Sequence, residues 1–321
     1  MTLTQAIMES LEDGVLHTVS HFTSWDHMRP DAQQIIVVVN QVPHVTSGMV
    51  PFHYVIVATK NIPIYGPSMV DVISPAISPK KTTVVLIQNG IHIERPYIER
   101  FPQNVVLSGV SYAGSQEVEH GKVSHGSHDI LEIGAFRNPG VDGAQEESAA
   151  RHFVSLYAAS GKASCLFTPQ VQWCRWKKLV YNASVNPLCA ITGLDTGSLR
   201  QAGPYVVKLL EDAMTEIVAA AAAAGHTFPK NLPRQLLEMD RVEDRFQPSM
   251  LQDVKKVRGQ SLLVSKIGHL RVQGNFIEYE YLVGEPLREG TRLGIPMPVT
   301  SVLYAQCVAL QYRLAQGHQT S

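Results

Sequence analysis

The stretch that decides the fold is YVIVATKNIPIYGPSMVDVISPAISPKKTTVVLIQNGI, residues 54–91. It opens and closes on continuous runs of β-branched residues, Tyr54 to Thr59 and Thr83 to Ile87. Runs that do not alternate with polar residues are what a strand needs when helices cover both of its faces. Between them, Pro67 to Ile77 has helical length, although its prolines weaken the helical period. Strand, helix, strand over about forty residues is the unit of a parallel sheet. Working outward, Ile35 to Val39 and Val105 to Val110 read as further strands of the same kind. Lys122 to Gly134 alternates better and predicts an antiparallel strand or hairpin at the sheet edge.

After the loop FRNPGVDG (136–143) the pattern becomes helical. Glu146 to Ala159, Trp173 to Ala190, Tyr205 to Ala224 and Val299 to Ala315 are helix-length, and only the second carries an interior proline, Pro187. In the third, Val206, Leu209, Leu210, Ala213 and Ile217 share a face, and Gly225 ends the segment. In the last, Val302, Leu303, Cys307, Leu310 and Leu314 do likewise. The expectation is α/β followed by all-α: an incomplete Rossmann-like parallel sheet domain over 1–140 and a helical domain over 141–321.

The bulk properties narrow the partners. Of 321 residues 45% are hydrophobic and 17% charged, a globular balance, and the formal net charge of -1 gives no basic field for nucleic acid or anionic lipid. No apolar run reaches the ~18 residues of a membrane span. The N-terminus MTLTQAIMESLEDG carries acids where a secretion signal has a basic head and an apolar core. Cys165, Cys174, Cys189 and Cys307 have no metal-ligand spacing and read as reduced, mostly buried thiols of a cytoplasmic protein. His120, His125 and His128 suit an exposed hairpin better than a zinc site, so no metal is expected. Trp173 and Trp176 read as core or interface anchors.

One helical segment carries a polar stripe. In WCRWKKLVYNASVNPLCAITG (173–193), Lys178, Asn182 and Asn186 stand at i, i+4 and i+8 among Trp176, Leu179, Val180, Ala183 and Leu188. On a single helix these three either face water or line a polar cleft, and spacing alone does not decide between the two.

The motif W-K-K-L-x-x-N-x-x-x-N-P-L resembles the helix signature of ketopantoate reductases. VVLIQNGI (84–91), PSMLQD (248–253) and IEYEYLVGEPLREGTRLGIPMP (277–298) are similar to the same family in the same order, and VIVATKN (55–61) resembles the strand before its cofactor-contacting lysine. The matches run from about residue 50 to the C-terminus. What the resemblance implies is NADPH-dependent reduction of 2-dehydropantoate, or a related 2-keto acid, to the 2-hydroxy acid, as in pantothenate biosynthesis. It implies Lys178 as general acid to the keto oxygen, with Glu278 beside it and near the nicotinamide. It also implies Asn182, Asn186 and Ser249 as substrate contacts, and Lys60 and Asn89 as cofactor contacts. Homodimers and monomers are both in keeping with the family.

The residues have plainer readings as well. Glu278 could be a helix N-terminal charge, Glu280 is its rival for the acidic role, and Asn89-Gly90 could be an ordinary turn. Lys60 and Asn89 each directly follow a strand, where ligands of open parallel sheets sit.

Two departures from the family stand out. Between Met1 and Ser47 the only glycine is Gly14, so a strand–GxGxxG–helix phosphate loop cannot be built there. Residues 1–34 either rebuild a substitute or the gene model is cut short. Val257 to Gln273, VRGQSLLVSKIGHLRVQ, interrupts a stretch that otherwise reads on smoothly. Valine codons begin with GT and a glutamine codon can end in AG, so these 17 residues are expected to be a retained intron, with an exposed loop as the rival. The alternative function is a non-catalytic relative that has lost its cofactor site and binds a metabolite or a partner.

Overall fold

The computed structural model describes residues 39, 41–64, 66–119, 122–239, 241–256 and 275–319. The expected strand at Ile35 to Val39, all but Val39, and the expected insertion at 257–273 lie outside them. The chain divides into two units, one of residues 1–88 and 93–171, the other of residues 89–92 and 172–321.

Among the described residues, the first unit holds a five-stranded sheet in the order β1-β2-β3-β6-β7, with β1 Tyr54–Val57, β2 Thr83–Leu86, β3 Val106–Ser111, β6 Asp129–Ala135 and β7 Ala163–Phe167. β1, β2 and β3 are parallel, β6 runs antiparallel to β3, and β7 is parallel to β6. Every residue of β2 is buried, as its unbroken apolar run requires. Helix α1 (Met69–Ile73) runs into a 3-10 turn, Ser74–Ala76, because Pro75 halts the α-helical ladder. Helix α2 is Arg95–Arg100. Helix α3 (Gly143–Ala158) sets Ala150, Phe153 and Tyr157 against Leu107, Leu131 and Ile133.

Two expectations change here. The sheet unit continues to Val171, past the expected boundary at 140, because α3 and β7 add to the sheet rather than to the helical unit. Lys122 to Gly134 holds two strands. β5 (Lys122–His125) pairs with β4 (Ser115–Glu119) in a separate ribbon, and β6 is interior to the main sheet, with β7 at the edge. The α/β class is as expected, a parallel set of strands extended by an antiparallel one.

The second unit is helical: α4 Val171–Asn182, α5 Val185–Thr192, α6 Thr196–Gln201, α7 Pro204–Ala223, α8 Leu232–Met239, α9 Ser249–Lys255, α10 Glu285–Arg292 and α11 Pro298–Gln319. Short 3-10 and π turns lie at Val242–Asp244 and Glu280–Gly284. α7 buries Leu210, Ala213, Met214, Ile217, Ala220 and Ala221, which rotates its apolar face off Leu209. α11 buries Leu303, Cys307, Leu310 and Leu314 but leaves Val302 in water. Its first N–H groups are capped from α7, where the Glu216 carboxylate accepts from Val299 N (2.9 Å), Thr300 N (2.8 Å) and the Thr300 hydroxyl (2.8 Å).

None of the four cysteines forms a disulfide, and all four are buried. Burial pushes the Cys165, Cys189 and Cys307 thiols up to about 12, so they act as small apolar side chains rather than nucleophiles. Trp176 is a core residue, while Trp173 donates its indole N–H to the Thr227 carbonyl (3.1 Å) and packs on Phe228. His128 meets Ser164 at 2.8 Å. Among the described residues, no helix is long and apolar enough to cross a membrane, and no group of His, Cys, Asp or Glu could hold a metal ion.

Candidate active site

The site grows from the end of β2. There Gln88 is buried, and its side-chain amide donates to the Thr59 carbonyl (2.9 Å), tying the segments that follow β1 and β2. Lys60 follows Thr59 at once and Asn89 follows Gln88, so both expected cofactor contacts stand just beyond the carboxyl ends of parallel strands.

Asn89 to His92 count with the helical unit, and each is held within it. Ile91 is buried in that unit's core, a contribution of about 1.5–3 kcal/mol for a side chain of its size. Gly90 adopts φ +102, and a Cβ there would lie 2.7 Å from both the Cβ and the carbonyl oxygen of Tyr281, so only glycine fits. The Gly90 carbonyl accepts from Arg175 Nη1 at 2.9 Å. His92, at φ +61, places Nδ1 3.1 Å from Glu285 Oε2, and this contact leads the causes that hold the Glu285 carboxyl below its usual range.

Lys178 is the centre of the arrangement. It projects from α4 and donates to the Asn89 side-chain oxygen at 2.7 Å. Its pKa is brought down from 10.5 to about 8, by burial first and the Arg175 charge second, with Glu278 working against both. Glu278 is buried, at 5% exposure, immediately before the helical turn that becomes the π turn Glu280–Gly284. Single π turns recur where a helix must present side chains to a site.

The rival acid is already engaged. Glu280 accepts from Tyr304 OH (2.9 Å) and from Arg288 Nη2 (2.9 Å). Of the two, Glu278 is the one whose charge reaches Lys178. The neighbouring Lys177 differs from Lys178 in kind, being exposed with its Nζ over the Trp173 ring at 5.5 Å.

The expected polar stripe is not on one helix. α4 ends at Asn182, so Lys178 and Asn182 share a helix, but Asn186 belongs to α5 beyond a break at Ala183-Ser184. Pro187 causes the break: it has no N–H to donate to Ala183 four residues back, and its ring would clash with that carbonyl. In the first turn of a new helix the same proline is tolerated. Asn186 is buried, while Asn182 is partly buried. Ser249 opens α9, which packs against α5.

Arg175, Tyr281 and the His92–Glu285 pair were not singled out in the sequence. A signal existed for Arg175. It stands three residues before Lys178, flanked by Cys174 and Trp176, where an ordinary helix would bury an apolar residue.

Comparison with known proteins agrees with this framework. The family model described as ketopantoate reductase PanE/ApbA matches residues 25–138, and its C-terminal counterpart matches residues 170–260. An uncharacterised protein of Saccharomyces cerevisiae is 32% identical over 284 residues, 83% of this chain and 74% of that one. A 2-dehydropantoate 2-reductase of Nostoc is 24% identical over 250 residues, covering 77% and 71% of the two chains. The crystal structure of the 2-dehydropantoate 2-reductase of Methylococcus capsulatus superposes with a TM-score of 0.64 at 24% identity, over 84% of this chain and 77% of that one. A ternary structure of D-mandelate dehydrogenase with NADH and anilino(oxo)acetate gives 0.66 at 21% identity, over 84% and 79%. These share the fold, a Rossmann-like N-terminal domain followed by a helical one. The chain belongs to the PanE/ApbA ketopantoate reductase family.

Proposed function

We propose that the protein reduces a 2-keto acid, ketopantoate or a close relative, to the 2-hydroxy acid with NADPH, and that Lys178 is the proton donor. The observation that carries the reading is the Lys178 ammonium, held by Asn89 and brought by burial to a pKa of about 8. A group with that pKa is protonated at neutral pH yet gives its proton up readily, as a general acid must.

The chemistry required is simple. As hydride reaches the keto carbon, negative charge grows on its oxygen, and an ammonium in a partly desolvated site both neutralises it and protonates it. Glu278 tempers the cost of holding that cation out of water. Asn182, Asn186 and Ser249 offer neutral donors and acceptors for the keto acid's carboxylate and hydroxyls. Ser249, at the first turn of α9, also has the partial positive charge of a helix N-terminus behind it.

The dinucleotide fits part of what is present. When bound it supplies the hydride. Lys60 and Asn89 have the types and places of its contacts, beyond the carboxyl ends of β1 and β2. A glycine-rich turn for its pyrophosphate is missing from the sequence before Ser47. The second reading is a relative that binds a keto acid or a partner without turning it over. Titrating the purified protein with NADPH and following nucleotide fluorescence separates the two. Saturable binding, with nicotinamide oxidation on adding ketopantoate, supports the reductase; no binding at millimolar cofactor leaves the binding-only relative.

A further inference from the structure

We infer that Arg175 is a positioning residue for Lys178: it grips the Gly90 carbonyl, fixing the adjoining Asn89 amide as the lysine's partner, and sets its own charge beside the ammonium. The inference rests on the reading of Lys178 as proton donor.

Arg175 and Lys178 are three residues apart on α4 and so share a face. Their targets are consecutive: Arg175 Nη1 donates to Gly90 O at 2.9 Å and Lys178 Nζ donates to Asn89 Oδ1 at 2.7 Å. Two cations one helical turn apart thus hold two adjacent residues of one turn. Tyr281 also lies against that turn, too close to Gly90 for any side chain there. Asn89 therefore has little freedom to swing away from the lysine. Arg175 is itself buried, at 5% exposure, which is unusual for an arginine and calls for a fixed hydrogen-bonding role.

The charge has a direct consequence. Among the groups that bear on the ammonium are Arg175 from its own helix, Glu278 from the segment entering the π turn, and the neutral Asn89 amide. Arg175 and Glu278 oppose one another, and burial adds to the arginine's effect. An arginine stays charged at any working pH, so it is a constant repulsion that no protonation change removes.

The test is competitive acetylation of the intact protein with acetic anhydride across pH, with the Lys178 peptide quantified by mass spectrometry. Only the neutral amine reacts, so the midpoint reports the lysine directly and needs no turnover. Wild type should titrate near 8. Arg175→Gln keeps a donor for Gly90 and removes the charge; its midpoint should move up, toward 10.5. Arg175→Met removes both and should shift likewise, with kcat falling further than in Arg175→Gln and little change in KM for the ketone. Arg175→Lys restores a cation and should bring the midpoint back down. Should circular dichroism show Arg175→Met unfolded, the glutamine and lysine variants decide. A folded Arg175→Gln with the wild-type midpoint overturns the inference. A shifted midpoint without any turnover supports it, while removing the reductase reading.

Discussion

Lys178 and Asn89 stand 89 residues apart in the chain, and the ammonium of one donates to the amide oxygen of the other at 2.7 Å. Both residues belong to the helical unit, where the bond ties the turn at Asn89 to that unit's first helix, α4. It turns two residues with ordinary individual readings into a candidate proton donor and its holder.

Removing the donor tests the chemistry. Lys178→Ala should lower kcat by roughly 10²–10⁴-fold, the usual worth of a positioned general acid, and leave the circular dichroism spectrum unchanged. Turnover within a few-fold of wild type would place the proton elsewhere.

The depressed pKa of Lys178 also predicts a stability trend, with a definite sign. Its folded pKa, about 8, lies below its ordinary 10.5, so between these values the unfolded chain binds more protons than the folded one. Stability then rises with pH across that window, and below pH 8 the penalty for the buried ammonium is present in full. Comparing urea unfolding of wild type and Lys178→Met from pH 8 to 10.5, the difference should move in favour of wild type by on the order of 1–3 kcal/mol. A pH-independent difference would mean that the ammonium is solvated like any surface lysine.

Gly90→Ala places a methyl group 2.7 Å from Tyr281 and strains a φ of +102. The combination should cost about 1–3 kcal/mol or more of stability. Turnover should fall as well, because Asn89 moves with its neighbour. Denaturant midpoints read the first effect and steady-state kinetics the second; full stability with full activity would deny that the turn is clamped.

Glu216 supplies a control remote in role. Glu216→Ala strips the cap from the three donors at the start of α11, and should cost about 1–2 kcal/mol. The midpoint for Lys178 acetylation should not change.

Much of this fold was legible. β2 and β3 announce themselves because strands covered on both faces need uninterrupted apolar residues, and α7 and α11 because each repeats its apolar face without proline. β7 was not, since Ala163–Phe167 is a short edge strand with Ser164 and an exposed Leu166, too brief and too polar to establish a period. The α4–α5 break was hidden by an apolar period that continues through it, although Pro187 was its visible cause. The site divides in the same way. Lys178 came forward as a polar residue on an apolar helix, but its pairing with Asn89 has no periodicity to betray it, and the resemblance implied Asn89 only as a cofactor contact. The Arg175–Gly90 contact had no counterpart in any motif.

The same geometry bears on Val257 to Gln273. Asn275 N donates to the Asp253 carbonyl at 2.7 Å, so the residues flanking 257–274 are hydrogen-bonded to each other. Joined directly, Lys256-Gly274-Asn275 would make this bond the six-to-one link of a Schellman cap on α9, with glycine at the left-handed position where such caps want it. A variant lacking 257–273 should therefore fold with a melting temperature no lower than that of the full chain. A loss of several degrees would make these residues part of the fold rather than an intrusion into it.

The measurement that bears most directly on the central claim is the pH dependence of ketone-driven NADPH oxidation by the wild-type protein. The account predicts a rate that is flat at neutral pH and falls on an alkaline limb near 8, as Lys178 gives up the proton it must donate. A rate that stays constant through pH 10, or rises as the ammonium is lost, would contradict it.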